Sequence, residues 1–429
     1  MGEAERASPY ALRLAALTLE LIERRGLSLE GAYSEARRRA GGGAPGALRL
    51  ASLALRHFAK ADLLLRISGL EQLPLRRRCA FRVAFAALAA GYELGGIDVG
   101  LLSGRLRSLL SRRGVERVEE ELARLPPLER LSIEHSFPRW IVQEVSERLG
   151  AEAARRLVEA CGRRVIWLRV NTLKASVGEV ARGLRRQGVE VREDRDFDFL
   201  LELVGAEEVP DPVRKLFERG LAVVQDKGSV AVVHALGCAR RMLVLDAAAA
   251  PGMKTSLLQQ LSGNEAEVVA VDVSRRRLGE MRRLLSRLGV RGVRLVLSDS
   301  RLASFSRKFD KVLLDAPCTN SGAIPSDPAL RLSLWRKPDL SRYASLQLEM
   351  LRNAAGHLKP GGTLVYSTCS LSAAEGEAVV DGAGLEGLDP EGVLGVPGYP
   401  GFSCSKKARR LFPHTHRTTG FFIARAVAR

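Results

Sequence analysis

The 429-residue chain is 46% hydrophobic and 27% charged, a composition that predicts a soluble globular protein of two or three domains. No apolar run nears the roughly 20 residues of a spanning helix, residues 1–10 lack a secretory core, and the six cysteines form no C-x-x-C pair, so we expect a cytoplasmic protein with no membrane partner, no disulfide framework and no metal. The net charge of +18 favours a polyanionic partner such as nucleic acid, and composition alone leaves this evenly matched with the solvated, Arg-rich surface of a heat-adapted protein.

Up to about Leu125, apolar residues recur at helical spacing in "ALRLAALTLELIERRG", "GALRLASLALRHFAKADLLLRISG" and "PLRRRCAFRVAFAALAAGYELG", which predicts an all-helical domain over residues 1–125. "AGGGAPGA" (40–47) reads as a loop between helices, and "ARLPPLER" (123–130) as the domain exit. Residues 126–220 change texture: two helices, "PRWIVQEVSERLG" and "AEAARRLVEACG", precede a β-α-β-β-α-β order running from "VIWLRVN" to "LAVVQD". That order predicts a small split-βαβ (RRM-like) module of the kind that often carries RNA. The aromatic RNP signature is missing, so a packing platform for the next domain is the competing reading.

In residues 221–429 strands and helices alternate. The runs "RMLVLD", "EVVAVD", "VRLVLSD" and "KVLLD" end at Asp246, Asp272, Asp299 and Asp315, "GTLVYS" ends at Ser367, and "GFFIARAV" forms a last strand. Near-continuous Val/Leu strands predict an α/β domain with a doubly wound parallel sheet covered on both faces. Ligands of such sheets bind beyond the carboxyl ends of the strands, where this row of carboxylates lies.

The first turn, "DAAAAPGMKTSLL" (246–258), fits neither the dinucleotide fingerprint nor the phosphate loop, having one glycine that Lys254 does not directly follow. A turn of small residues into a helix N-terminus still offers N–H groups to a carboxylate, Asp272 can accept from ribose hydroxyls, and Asp299 can take an adenine amino group. Together these describe S-adenosylmethionine better than NAD. Taken singly, each aspartate reads as a strand-end or capping residue.

Cys318 in "DAPCTNSG" (315–322) and Cys369 in "VYSTCSL" follow successive strands, so neighbouring strand ends could deliver two thiols to one pocket. Two thiols beside a methyl donor suggest covalent catalysis on a pyrimidine: a thiolate adding at C6 makes C5 nucleophilic, and the second thiol or a nearby base then helps release the product. Asp315 could hydrogen-bond the base edge near N3, with its pKa raised by neighbouring carboxylates. Cys79, Cys161, Cys238 and Cys404 read as core filler.

The blocks "DAAAAPGMKT", "VVAVDVS", "DAPCTNSG", "YSTCSL", "AEGE" and "LFPHTHRTTGFFIAR" resemble, in order, the motifs of the Sun (NSUN, RsmB-like) family of RNA cytosine-C5 methyltransferases. The resemblance implies a Rossmann-like class I methyltransferase domain that uses S-adenosylmethionine. It implies Cys369 as nucleophile, Cys318 as the residue aiding release, and Asp315 and Lys254 beside them. Asp246, Ala248, Ala249, Ala250, Pro251, Gly252, Met253, Lys254, Asp272, Arg277, Asp299 and Asp315 become the cofactor-side candidates. Residues 136–176 are similar to the region preceding the catalytic domain in the bacterial small-subunit rRNA member, and residues 1–125 fit its NusB-like helical domain by pattern. The chain departs from the family at Ala248 and Met253 in the first turn, at Gly376 in "EGE", and at Thr419 before Gly-Phe-Phe.

The expected function is therefore RNA cytosine-C5 methylation by a monomer, with rRNA as first and tRNA as second substrate. A noncatalytic RNA-binding or ribosome-assembly factor is the alternative. The basic stretch "SKKARRLFPHTHR" (405–417) is expected as a loop touching the RNA backbone, while the Arg-rich 275–287 reads as a solvated helix face.

Overall fold

The computed structural model describes residues 7–93, 102–237 and 239–428. It divides into two compact units, Met1–Gly162 with Ile324–Pro338, and Arg163–Ala323 with Asp339–Arg429.

The first unit is helical: α1 (Pro9–Arg25), α2 (Leu29–Ala40), α3 (Ala47–Ile67), α4 (Leu75–Ala89), α5 (Gly104–Leu109), α6 (Arg112–Arg124), α7 (Pro127–Glu134), α8 (Arg139–Leu149) and α9 (Ala151–Ala160). Local chemistry sets the ends of α1: the Ser8 hydroxyl accepts from the Ala11 N–H, and Gly26 turns left-handed at φ 62° to close it. Every residue of α4 from Cys79 to Ala87 is buried, so α4 is the central helix and its alanines allow close packing. Its Arg82 reaches Glu23 at 2.5 Å and Asp62 at 2.6 Å, which compensates the buried charge. The unit runs on past the expected exit at 123–130, to Gly162. It also includes Ile324–Pro338, where Arg331 donates to the carbonyls of His135 (2.6 Å) and Cys161 (2.7 Å) and Trp335 meets Phe58 edge-on.

The second unit begins with β1 (Ile166–Val170), α10 (Val177–Arg185), β2 (Val191–Glu193), β3 (Leu200–Leu203), α11 (Asp211–Glu218) and β4 (Ala222–Val224). Their antiparallel sheet has the order β2-β3-β1-β4, the split-βαβ topology read from the sequence. Next come α12 (Lys227–Leu236), β5 (Leu243–Asp246), α13 (Met253–Ser262), β6 (Glu267–Asp272), α14 (Arg275–Leu288), β7 (Val293–Leu297), β8 (Phe309–Asp315), α15 (Ala329–Ser333, in the first unit), α16 (Leu340–Gly356), β9 (Leu358–Thr368), α17 (Glu377–Ala383), β10 (Val396–Pro397), β11 (Arg409–Leu411), α18 (Pro413–His416) and β12 (Phe421–Val427).

The large sheet has the order β10-β11-β12-β9-β8-β5-β6-β7. β5 to β9 are parallel, and β10 to β12 extend the sheet antiparallel. The chain moves from β5 towards β7, then restarts on the other side of β5 with β8 and β9. The crevice at that reversal is where a ligand of such a sheet belongs. The split module packs on this domain: Trp167, Phe199 and Leu200 share a core with Val230, Leu257 and Val268. Asn171 donates to the carbonyls of Gly220 and Leu288, both at 2.8 Å. Among the described residues, no helix is long and apolar enough to cross a membrane.

Candidate active site

β5 ends at Asp246, and the turn after it is drawn over the neighbouring strands: the Ala247 N–H donates to Leu313 O and the Ala249 N–H to Val271 O, both at 2.9 Å. Gly252 has φ +99°, and a Cβ there would lie 2.7 Å from Met281 Cγ, so the turn can close into α13 only with glycine. Met253 opens α13 and Lys254 follows it. Ala248 and Ala250 line a cleft of about 500 Å³, together with Asp272, Arg277, Asp299, Asp315, Cys318 and Cys369. Asp246 does not line it. Its carboxyl is buried and accepts from Thr255 Oγ1 at 2.6 Å, and burial pushes it up to about 6 against the opposing pull of that hydroxyl and of Lys254.

At the β6 end, Asp272 accepts from the N–H groups of Ser274 (2.9 Å) and Ala250 (3.2 Å) and faces Arg277 Nη1 at 3.3 Å. A carboxylate has about four acceptor positions, so one remains for a hydroxyl from the cleft. Arg277 also donates to Ala250 O and so ties the first turn to α14. Its neighbours behave as the sequence suggested: Leu278, Met281, Leu285 and Leu288 are buried beneath a solvated arginine face. Asp299 lies two residues past the end of β7 and is already paired with Arg301, whose Nη2 is 2.6 Å away. The Arg301 side chain and N–H hold the Asp299 carboxyl below its usual range.

The β8 and β9 ends carry the two thiols. Cys318 Sγ and Cys369 Sγ are 3.4 Å apart, both are free thiols, and Cys318 is buried while Cys369 is half-buried. Asn320 Oδ1 accepts from Cys369 Sγ at 2.9 Å. Asn320 itself adopts a left-handed φ of 59°, a conformation asparagine tolerates. The contact with Cys369 and burial push the Cys318 thiol well above its ordinary pKa. Asp315 accepts from Lys254 Nζ at 2.6 Å and from Ser367 Oγ at 2.7 Å. The expectation that carboxylates surround Asp315 is thereby corrected: its charged partner is an ammonium, because α13 points Lys254 across the β5–β8 crevice. Burial alone would lower the Lys254 pKa, but the Asp315 carboxylate outweighs it and holds the ammonium above its usual value.

Sequence reading brought Asp315, Cys318, Cys369 and Lys254 into one place and missed Asn320, Ser367 and Glu375 as partners. "TNSG" carries a signal for Asn320, since asparagine before small residues favours a left-handed turn. The side chain of Glu375 points back at residues 28 and 56 positions earlier, which no local pattern reveals. The basic stretch 405–417 also differs from expectation. It contains β11 and α18, and Arg410 is fully buried on Glu377 at 2.5 Å and over the Tyr399 ring, so it cannot face RNA. Lys406 and Lys407 remain exposed. His416 Nδ1 accepts from the Phe412 N–H at 3.0 Å, and among the described residues no cluster of three or more His, Cys, Asp or Glu could hold a metal. Thr419 donates through its N–H and hydroxyl to Asp226, the N-cap of α12. Cys79, Cys161 and Cys404 are buried, and burial pushes the thiols of the first two up to about 12. Cys238 lies outside the described residues.

Residues 233–427 match the family described as 16S rRNA methyltransferase RsmB/F, and residues 137–209 match the ferredoxin-like domain of the RsmF/B-like methyltransferases. The probable ribosomal RNA small subunit methyltransferase B of Bacillus subtilis is 32% identical over 380 residues, 84% of this chain and 80% of that protein. The tRNA (cytosine(72)-C(5))-methyltransferase of Pyrococcus horikoshii is 39% identical over 215 residues, 49% of this chain and 53% of that protein. The crystal structure of PH0851 superimposes with a TM-score of 0.79 at 28% identity, covering 100% of both chains.

Proposed function

Because this chain belongs to the 16S rRNA methyltransferase RsmB/F family, we propose that it methylates cytosine C5 in RNA with S-adenosylmethionine as donor, with ribosomal RNA the first substrate and transfer RNA the second. The observation that carries this reading is the pair of free thiols 3.4 Å apart at the ends of adjacent parallel strands, open to one cleft.

The donor set around the cleft fits the cofactor. Asp272 keeps an acceptor position for a ribose hydroxyl, Asp299 lines the same cleft as the candidate partner of an adenine amino group, and the first turn contributes small alanines to its wall beside the methionine part. When bound, S-adenosylmethionine supplies the electrophilic methyl group for C5.

Cytosine C5 is a weak nucleophile until a thiolate adds at C6. Cys369 is the thiol assigned to that addition. It is the more accessible of the two, while contact with it and burial keep the Cys318 thiol protonated. Asp315 and Lys254, paired at 2.6 Å, are the groups assigned to the base edge near N3, where an ammonium and a carboxylate can offset its developing charge. After methylation the C5 proton leaves, the C5–C6 double bond re-forms and the Cys369 sulfur departs. Cys318 aids that departure by donating a hydrogen bond to the leaving thiolate.

The test is bisulfite sequencing of rRNA and tRNA after incubation with purified protein and methyl donor. Protected cytosines in rRNA support the reading, protection confined to tRNA transfers it to the second substrate, and none in either RNA overturns it. A noncatalytic assembly factor would also give no donor heat in calorimetric titration.

A further inference from the structure

Glu375 ends the short 3-10 turn Ala373–Glu375 and is fully buried, yet it lines no part of the cleft. Its Oε1 accepts from the Thr319 N–H at 2.9 Å and from Gln347 Nε2 at 3.2 Å, and its Oε2 accepts from the hydroxyls of Thr319 (2.6 Å) and Ser370 (2.5 Å). Thr319 follows Cys318, and Ser370 follows Cys369. One carboxylate therefore grips the residue behind each sulfur. Further bonds join the same two loops: the Leu371 N–H donates to Ser321 Oγ at 2.9 Å and the Gly322 N–H to Cys369 O at 3.0 Å.

A carboxylate is the side-chain group with four acceptor positions and no donor, which matches four converging donors. A glutamine would turn an NH₂ group against one pair of them. Fully satisfied buried networks of this kind rigidify what they join. The Glu375 charge also adds to the Cys369 contact and burial in keeping the Cys318 thiol protonated.

We propose that Glu375 is the positioning residue of the release step: by clamping both cysteine loops it keeps the Cys318 thiol within hydrogen-bond reach of the Cys369 sulfur as that sulfur leaves the base. The inference rests on the assignment of Cys369 to addition and Cys318 to release. In that step the Cys369 Sγ–C6 bond breaks and its electron pair returns to sulfur. The C5 proton passes to water while its bonding pair forms the C5–C6 double bond, and Cys318 keeps its own proton.

The test compares Glu375→Gln with wild type and with Cys318→Ala, using labelled donor and an RNA found to be methylated. We expect Glu375→Gln to carry out the first methyl transfer and bind donor as wild type does, while resolution of the protein–RNA adduct slows by about 100-fold, the scale of a misplacement near 1 Å. Denaturing gels read the adduct. A structural role alone would lower donor binding and first-turnover transfer and leave no adduct. If Glu375→Gln does not fold, Thr319→Val and Ser370→Ala each remove a hydroxyl donor to the clamp and should each slow adduct resolution with donor binding intact. Wild-type resolution in the folded variants overturns the proposal. An adduct in Cys318→Ala with none in the Glu375 clamp variants sinks the role of Glu375 alone, whereas no adduct in Cys318→Ala sinks the assignment of the two thiols.

Discussion

The two ends of the strand row are built differently. At the β8–β9 end, Thr319, Ser321, Ser370 and Glu375 form a buried hydrogen-bonded block beside the buried Cys318, while Cys369, Asp315 and Asn320 are open to the cleft. At the β6–β7 end, Asp299 and Arg301 form a pair near solvent, and Arg277 reaches over Asp272 from a half-exposed position. The difference fits the work proposed for each end. Release of the base needs the two sulfur atoms held in register, whereas a donor that must enter and leave needs acceptors that can exchange partners.

The sharpest way to break this comparison is at the reactive end. Cys369→Ala should lower methylation by at least about 10⁴-fold, the scale seen when a covalent nucleophile is removed, while donor affinity measured by calorimetry stays unchanged. Turnover at the wild-type rate would move the nucleophile elsewhere. Cys318→Ala should still add and transfer the methyl group but leave a covalent protein–RNA adduct on denaturing gels. An adduct that also forms in Cys369→Ala would reverse the two roles.

Beneath the junction of the two ends lies Asp246, whose buried carboxyl is raised to about 6 from an unfolded value near 3.8. Between those values the folded chain holds the proton more tightly than the unfolded one, so this group's contribution is full at low pH and is lost as pH rises through about 6. The loss is at most about 3 kcal/mol. Denaturant titrations from pH 4 to pH 7 should show Asp246→Asn with a flatter decline than wild type, and parallel curves would contradict the burial of a titrating group there.

At the binding end, Asp272→Ala should weaken donor binding by about 1–3 kcal/mol with RNA affinity nearly unchanged. If donor affinity holds, the cofactor does not use the β6 end. The smallest effect concerns the helical unit. Deleting residues 1–125 would cut through a core that includes α7 and Ile324–Pro338, so point changes are the cleaner probe. Arg76 and Arg77 are exposed at the start of α4. If this unit holds RNA, replacing both with alanine should reduce the salt slope of log K by roughly 1.4, two phosphates' worth on a single strand. Filter binding across a salt series reads it, and an unchanged slope would assign this face to another task.

Much of this molecule was determined by sequence alone. The helix period of the first 90 residues, the β-α-β-β-α-β order and the aspartates ending β5, β6 and β8 are local signals, because periodicity and strand ends depend on residues near one another in the chain. The two thiols could be paired before any coordinates, because each follows a strand of the same sheet. Tertiary structure alone decided the rest. Lys254 rather than a carboxylate faces Asp315 because the packing of α13 aims it there, and Arg410 is buried because Glu377 waits 33 residues upstream. Ile324–Pro338 belongs with the helices through contacts spanning well over 150 residues. Glu375 gained its four donors only when the two cysteine loops, 51 residues apart, and Gln347 of α16 closed on it. Such partners are chosen by the geometry of closure, and a buried polar group without them would cost more than the fold can spare.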